Sequence, residues 1–183
     1  MLVFRHMRLS SETFVRACDP DHDLEVIVSN IIATGYYRDG QDDPDTLGRF
    51  LARNPDGIIV AEDPVNGIIA GSLCAPDSPI PVISRIAINP VFKINPHDDW
   101  ECQGLLLNGA FDLFRDRYPR LPHVEILYDW QPSRPEPPAP LDWEYKRLGF
   151  SFGCDLYSVE HRLWDDQGNP VYLPSFRDNK PSA

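Results

Sequence analysis

The sequence predicts a single-domain α/β (α+β) fold: a mixed, mostly antiparallel sheet flanked by helices. Three observations lead there. Two β-rich runs in "GIIVAEDPVNGIIAGSLCA" (Gly57 to Ala75) are split by "DPVNG", whose Asn-Gly pair is a strong hairpin signal. "IPVISRIAIN" (Ile80 to Asn89) then adds a third consecutive strand, which makes the stretch an antiparallel meander. Finally, an apolar helical pattern from Gly104 to Arg117 leads into "PHVEILYDW" (Pro122 to Trp130), a βαβ crossover that requires a parallel strand pair. A chain of 183 residues, 42% hydrophobic, suits one such core and is short for two. The expected layout is one domain over residues 1–164 and an irregular surface tail over 165–183.

The remaining elements follow in order. "ETFVRACD" (Glu12 to Asp19) has the alternation of a strand, and the acids of "DPDHD" can cap a helix from Leu24 to Tyr37. A second helix runs from about Pro44 to Arg53, with Asp43 as its cap and "DG" at 56 and 57 as its stop. In the third helix, apolar residues at 105, 106, 107, 110, 111, 113 and 114 imply near-continuous burial against the sheet. "PSRPEPPAP" (Pro132 to Pro140) holds five prolines in nine positions and is a loop of polyproline character. A short helix from Leu141 to Leu148 is expected to end at Gly149, with "FSFGCDLYSVEHRLW" forming the last strand or pair of strands.

Charge narrows the function classes. Seventeen basic against twenty-eight acidic residues give −11 and a pI near 4.7, which disfavours nucleic acid and anionic membrane surfaces; the excess acid suits a cationic amine substrate or, more commonly, serves only solubility. Cys18, Cys74, Cys102 and Cys154 form no CxxC pair, so the default is reduced thiols and a cytoplasmic setting. "MLVFRHMRLSSETF" interrupts its apolar residues with Arg5, His6 and Arg8, unlike a secretion signal, and no run is long enough to span a bilayer. The expected partners are a small-molecule substrate and, as an option, a second copy in a homodimer.

The element order resembles the GNAT-type N-acetyltransferase superfamily, and three stretches carry the likeness. "FVRACDPDHDLEVIV" is similar to its opening strand and first helix. "RIAINPVFK" is similar to its fourth strand and exit, with a small-x-Pro-x-aromatic-basic signature, and "YKRLGF" (Tyr145 to Phe150) to its Tyr-x-x-x-Gly-Phe helix-to-strand turn. Together they cover most of Thr13 to Leu163. The resemblance implies a sheet splayed between its fourth and fifth strands, with an acetyl-CoA or other acyl-CoA thioester entering the gap. It further implies a β-bulge in the fourth strand, a free backbone N–H for the acyl oxygen, and Ile86, Ala87 and Ile88 lining the site.

One stretch departs from the family. A short glycine-rich turn at a helix start is expected to hold the pyrophosphate. Here Lys93 supplies the basic residue, but "INPHDDWECQ" follows before Gly104 and carries Asp98, Asp99 and Glu101. An acid about 8 Å from a phosphate charge costs on the order of 0.5 kcal/mol in water and about 2 at intermediate dielectric. Either Ile94 to Glu101 bulges outward and Gln103, Gly104 and Leu105 offer their N–H groups, or coenzyme A binding has been given up.

Among candidate catalytic residues Tyr145 comes first, since the resemblance implies a tyrosine that protonates the departing thiolate. Packing on the sheet is its plain structural alternative. Glu62, Asp63, Glu125, Asp129 and His123 are candidate bases, with Asp129 preferred for its place near the end of the fifth strand. "DPDHD" lacks the glycine and glutamate of a calcium loop, "HDD" with Glu101 is a single acidic turn, and no metal is expected. Cys102, beside acids, is read as structural. Tyr128, Trp130, Trp143, Tyr145 and Phe150 could wall a pocket beside the proline-rich loop, or simply pack. The expected function is acyl-CoA-dependent N-acyl transfer, chiefly acetyl transfer, to a small amine. The alternatives are cofactor-free cyclisation, isomerisation or decarboxylation on the same scaffold, and a non-catalytic binding protein.

Overall fold

The computed structural model describes residues 10, 12–34, 40, 42–75, 81–93, 96–130, 144–151 and 154–174. The proline-rich stretch, Trp143 and residues 175–183 lie outside them, as do the side chains of residues 93, 96–100, 129, 130, 151 and 154.

Strand β1 (Phe14–Ala17) leads through the acidic turn to α1 (Leu24–Thr34). The acids serve that turn: Asp23, 3% exposed, accepts the Asp19 N–H at 2.7 Å and both terminal guanidinium nitrogens of Arg16 at 2.5 and 3.1 Å. Hydrogen bonding to Asp23 is the main cause that raises the Arg16 pKa, and the buried carboxylate has a cation built against it. Helix α2 (Pro44–Arg53) starts as predicted, with Pro44 in its first turn and the Asp43 carboxylate accepting the Thr46 N–H at 2.9 Å.

The meander forms β2 (Ile58–Asp63), β3 (Gly67–Ala75) and β4 (Val82–Ile88). Its first turn places Gly67 at φ +70°, which the Asn-Gly pair accommodates without strain. Asp63 is 1% exposed and knots this turn to the segment before β1. One of its oxygens accepts from Val65 N, Asn66 N and Asn66 Nδ2, and the other from Ser10 N and Thr13 Oγ1. Burial pushes its pKa up, and the hydrogen bonds outweigh burial and hold it below the ordinary value.

After β4 the Asn89 carboxamide oxygen accepts the Val91 N–H at 3.1 Å and starts a 3-10 turn, Pro90–Lys93, which buries Phe92. Then come α3 (Pro96–Arg117), β5 (His123–Trp130), β6 (Lys146–Ser151) and β7 (Cys154–Arg162). Among the described residues these strands make one seven-stranded sheet in the order β1-β2-β3-β4-β5-β7-β6, in which only β4 and β5 are parallel. Leu106, Leu107, Ala110, Phe111 and Phe114 of α3 close one face, and Ile27 and Ile31 of α1 with Leu47 and Leu51 of α2 close the other.

Three expectations need correction. Helix α3 begins at Pro96, eight residues before Gly104, so most of the supposed acidic loop is helix. Proline in the first turn followed by aspartates is a favourable start, because proline has no N–H to leave unbonded and acids complement the helix dipole. The predicted helix Leu141 to Leu148 is absent where described: residues 144 and 145 have no regular structure, and Lys146 to Ser151 pair antiparallel with β7. The tail is not wholly superficial either. Leu173 is 4% exposed, and its N–H and carbonyl both bond the Asn108 carboxamide of α3, at 2.8 and 3.2 Å.

Gly109 of α3 lies so close to β1 that an added Cβ would sit 2.5 Å from Val15, whereas one on Gly104 would meet no described atom within 4 Å. Gly109→Ala should therefore destabilise by about 1–3 kcal/mol, and Gly104→Ala should stabilise the unliganded protein by up to about 1 kcal/mol through helix propensity. Thermal melts of the two variants check the opposite signs. Asp63→Asn is expected to cost about 1–3 kcal/mol at pH 7, because two donors would then face an amide nitrogen. The folded pKa of Asp63 is depressed, so its contribution is present above about pH 4, the unfolded value, and is lost as pH falls through the folded value. Urea unfolding should accordingly show the gap between wild type and variant shrinking in acid.

Candidate functional site

The site is built where β4 and β5 part. They share two register positions, Val82↔Glu125 and Ile83↔Ile126, with one further bond from Glu125 N to Pro81 O at 2.9 Å. Beyond these, Ser84 to Ile88 and Leu127 to Trp130 are not paired with each other, and a wedge opens toward the carboxyl ends of both strands. Ligand sites at diverging parallel strands occupy this end of a sheet.

At the fork β4 carries the bulge. Gly71 pairs with Ala87 and Leu73 with Ser84, so the single residue Ser72 stands opposite both Arg85 and Ile86. Among the described residues Arg85 is the one non-glycine with positive φ, at +55°, a conformation costing about 1–2 kcal/mol. Its guanidinium turns to the face covered by α1 and α2, where Nε donates to Asp42 Oδ1 at 3.0 Å. The two side chains are 12% and 1% exposed. Ile86 packs toward α3, Ala87 toward α1 and α2, and Ile88 again toward α3. All three line the opened half of β4, and the alternation resumes across the bulge.

On the other wall, Tyr128 of β5 stands directly opposite Tyr157 of β7. Tyr145 meets both edge-on, with ring centroids 5.9 Å from Tyr128 and 6.3 Å from Tyr157. Each such pair contributes about 0.5–1.5 kcal/mol beyond burial, so the Tyr145 ring is held although it lies outside regular structure. Burial first, and the neighbouring Tyr145 second, push the Tyr128 phenol well above its ordinary pKa.

The other candidates separate. Asp129 falls in the opened half of β5, opposite Leu156. His123 and Glu125 lie at the closed end instead, and His123 sits 3.6 Å from Glu160. Glu62 is bonded to Arg16 at 2.6 Å and Asp63 belongs to its turn, so both have structural work two strands from β4. Cys102 is fully buried in α3. Lys93 ends the 3-10 turn. Gln103, Gly104 and Leu105 lie two turns inside α3, where N–H groups bond carbonyls four residues back, so they are not the free amides expected of them. First-turn amides belong instead to His97, Asp98 and Asp99. A cavity of about 240 Å³ lies at the opposite end of the sheet, between Arg53, Cys74, Phe114 and Arg117, away from the wedge.

These residues fit the thioester end of an acyl-CoA better than its phosphate end. The wedge supplies a slot and the bulge a backbone donor. The start of a 22-residue helix supplies three amides and a positive dipole end, but with two aspartates in the same turn. What sequence reasoning missed is Arg85 with Asp42 and the Tyr128–Tyr157 pair, since no local signal marks a cross-strand contact.

No family model matches the sequence, and no curated protein matches it. Solved structures do. Ard1 from Thermoplasma volcanium is 13% identical, with a TM-score of 0.60 over 84% of this chain and 99% of that one. The PaiA N-acetyltransferase from Thermoplasma acidophilum in complex with coenzyme A is 10% identical, with a TM-score of 0.51 over 82% and 99%. Spermidine N-acetyltransferase from Vibrio cholerae in complex with CoA and spermine is 12% identical, with a TM-score of 0.52 over 84% and 96%. At these identities the likeness concerns architecture alone. The chain has the fold of the GNAT-type N-acetyltransferases.

Proposed function

We propose that the protein is an acyl-CoA-dependent N-acyltransferase acting on a small amine. The observation that carries this reading is the fork, where two parallel strands separate next to a bulge that releases a backbone amide from the ladder. An amide held there points at a developing oxyanion without needing a side chain. The neutral amine attacks the thioester carbon, a C–N bond forms and the C–S bond breaks. Asp129 takes the proton released by the amine, and Tyr145 gives its proton to the departing sulfur. The Tyr128 and Tyr157 rings orient Tyr145 for that transfer. The solved structures of similar fold, one with CoA and spermine, support the donor and acceptor classes by analogy of architecture.

Tyr145→Phe should lower kcat roughly 100-fold, within the range for general acid catalysis, and leave KM for acetyl-CoA within about twofold. Thiol release in the presence of a panel of primary amines measures it. Calorimetry with acetyl-CoA is the prior test: no binding, together with no thiol release, would end this reading.

A second reading, cofactor-free chemistry in the same wedge, is favoured by one observation, the acidic first turn of α3. The two are separated by Asp98→Asn with Asp99→Asn. If acyl-CoA is the donor, removing both charges should tighten acetyl-CoA binding at least about fivefold, from about 0.5 kcal/mol or more per acid. Unchanged, undetectable binding in the double variant supports the cofactor-free reading.

A further inference from the structure

The proposed chemistry needs the β4 bulge to stay in one register, and within the β3–β4 ladder the Ser72 hydroxyl donates to the Ser84 carbonyl at 3.2 Å beside it. Ser72 faces two residues, and a one-residue slip would send Ile86, Ala87 and Ile88 to opposite faces. The residue in the left-handed region is an arginine, which has no intrinsic preference for it. Its side chain is nevertheless 12% exposed, and its Nε donates to the buried Asp42 carboxylate at 3.0 Å. Asp42 directly precedes the Asp43 cap of α2, so it is anchored to a helix start that is itself fixed by hydrogen bonding.

We propose that the Arg85–Asp42 ion pair is a latch that holds the bulge in register and ties it to the start of α2. Arg85 is thereby a positioning residue for the amide at the fork. The argument is one of face and charge. The helix start that would receive the donor belongs to α3, on one side of the sheet, and the latch lies on the other, beneath α1 and α2. Replacing such a pair by apolar residues is often neutral for stability, so its role is sought in register. The inference rests on the proposed acyl transfer for its catalytic consequence, and on the fold alone for its structural one.

The test uses the full chain and the variants Asp42→Asn, which leaves β4 untouched, and Arg85→Lys, which keeps the charge but not the fork of donors. Backbone hydrogen exchange is read at Ile86 and Ala87 without any ligand. Thiol release from acetyl-CoA with a panel of primary amines is read in parallel. In Asp42→Asn, exchange at both amides should change at least tenfold while Val60 and Ile69 hold their wild-type rates. kcat should fall 10- to 100-fold, with KM for acetyl-CoA within about twofold. Arg85→Lys should show the same two effects at smaller size than Asp42→Asn. Wild-type exchange at Ile86 and Ala87 in Asp42→Asn overturns the latch, as does a loss of protection spread evenly over the core in both variants. If the wild type releases no thiol, acyl transfer fails as the function, and the exchange data still decide for or against the latch.

Discussion

Two parallel strands that meet at only two register positions set the constraint on which this molecule depends. Past the fork, alternate residues of each strand turn their N–H and C=O toward a neighbour strand with which they no longer pair, and buried backbone groups call for partners. The cost is tolerable because each strand is well held on its other side. Strand β5 pairs with β7 over eight positions, and β4 follows β3 through five. The sheet is thus two well-paired halves joined at a short seam, and the groups exposed along the wedge are available to a ligand.

What fixes the opening is not the seam but α3, which touches both halves. On the β1 to β4 side its backbone comes close enough that Gly109 has no room for a Cβ beside Val15. On the β7 side Phe111 stacks on His161, with ring centroids 4.1 Å apart and an interplanar angle of 8°. The C-terminal segment adds a strap: Arg115 donates to the carbonyls of Leu163 and Val171 at 3.1 Å and lies under the Tyr172 ring, 4.4 Å from its centroid. Tyr172 in turn donates to Asp112 at 2.7 Å. A helix bonded to both halves and to the chain end resists rotation of one half against the other, which keeps the wedge at one width.

The legible parts of the fold were those governed by local chemistry. The Asn66–Gly67 turn, the Asp43–Pro44 helix start and the apolar stripe of α3 each follow from a few neighbouring residues, and each stands where the sequence predicts it. The parts that were not legible depend on partners distant in sequence. "YKRLGF" has residues compatible with a helix, and it became a strand because β7 offered an edge. The start of α3 is a different case, since proline followed by two aspartates was a readable helix signal and the expectation of a glycine turn obscured it. Tyr145 and the Ile86 to Ile88 segment were expected through resemblance, and they border the candidate site. Arg85 and Asp42 are 43 residues apart and carry no mutual signal.

The two ends of the site make opposite electrostatic demands, and this bears on which donor suits the chain under the proposed reaction. The thioester end consists of backbone dipoles and phenols, which stabilise developing charge while carrying none, and burial keeps the Tyr128 phenol protonated well above neutrality. The far end is a helix start whose dipole, equivalent to roughly half a positive charge, is opposed within one turn by Asp98 and Asp99. On a molecule of net charge −11, a long-range field does not restore the balance. Under the proposed reaction, selectivity for the donor would therefore rest on its acyl and thioester portion, at the wedge. A donor bearing less negative charge at its distal end loses little by missing the phosphate contacts, and avoids the repulsion that accompanies them.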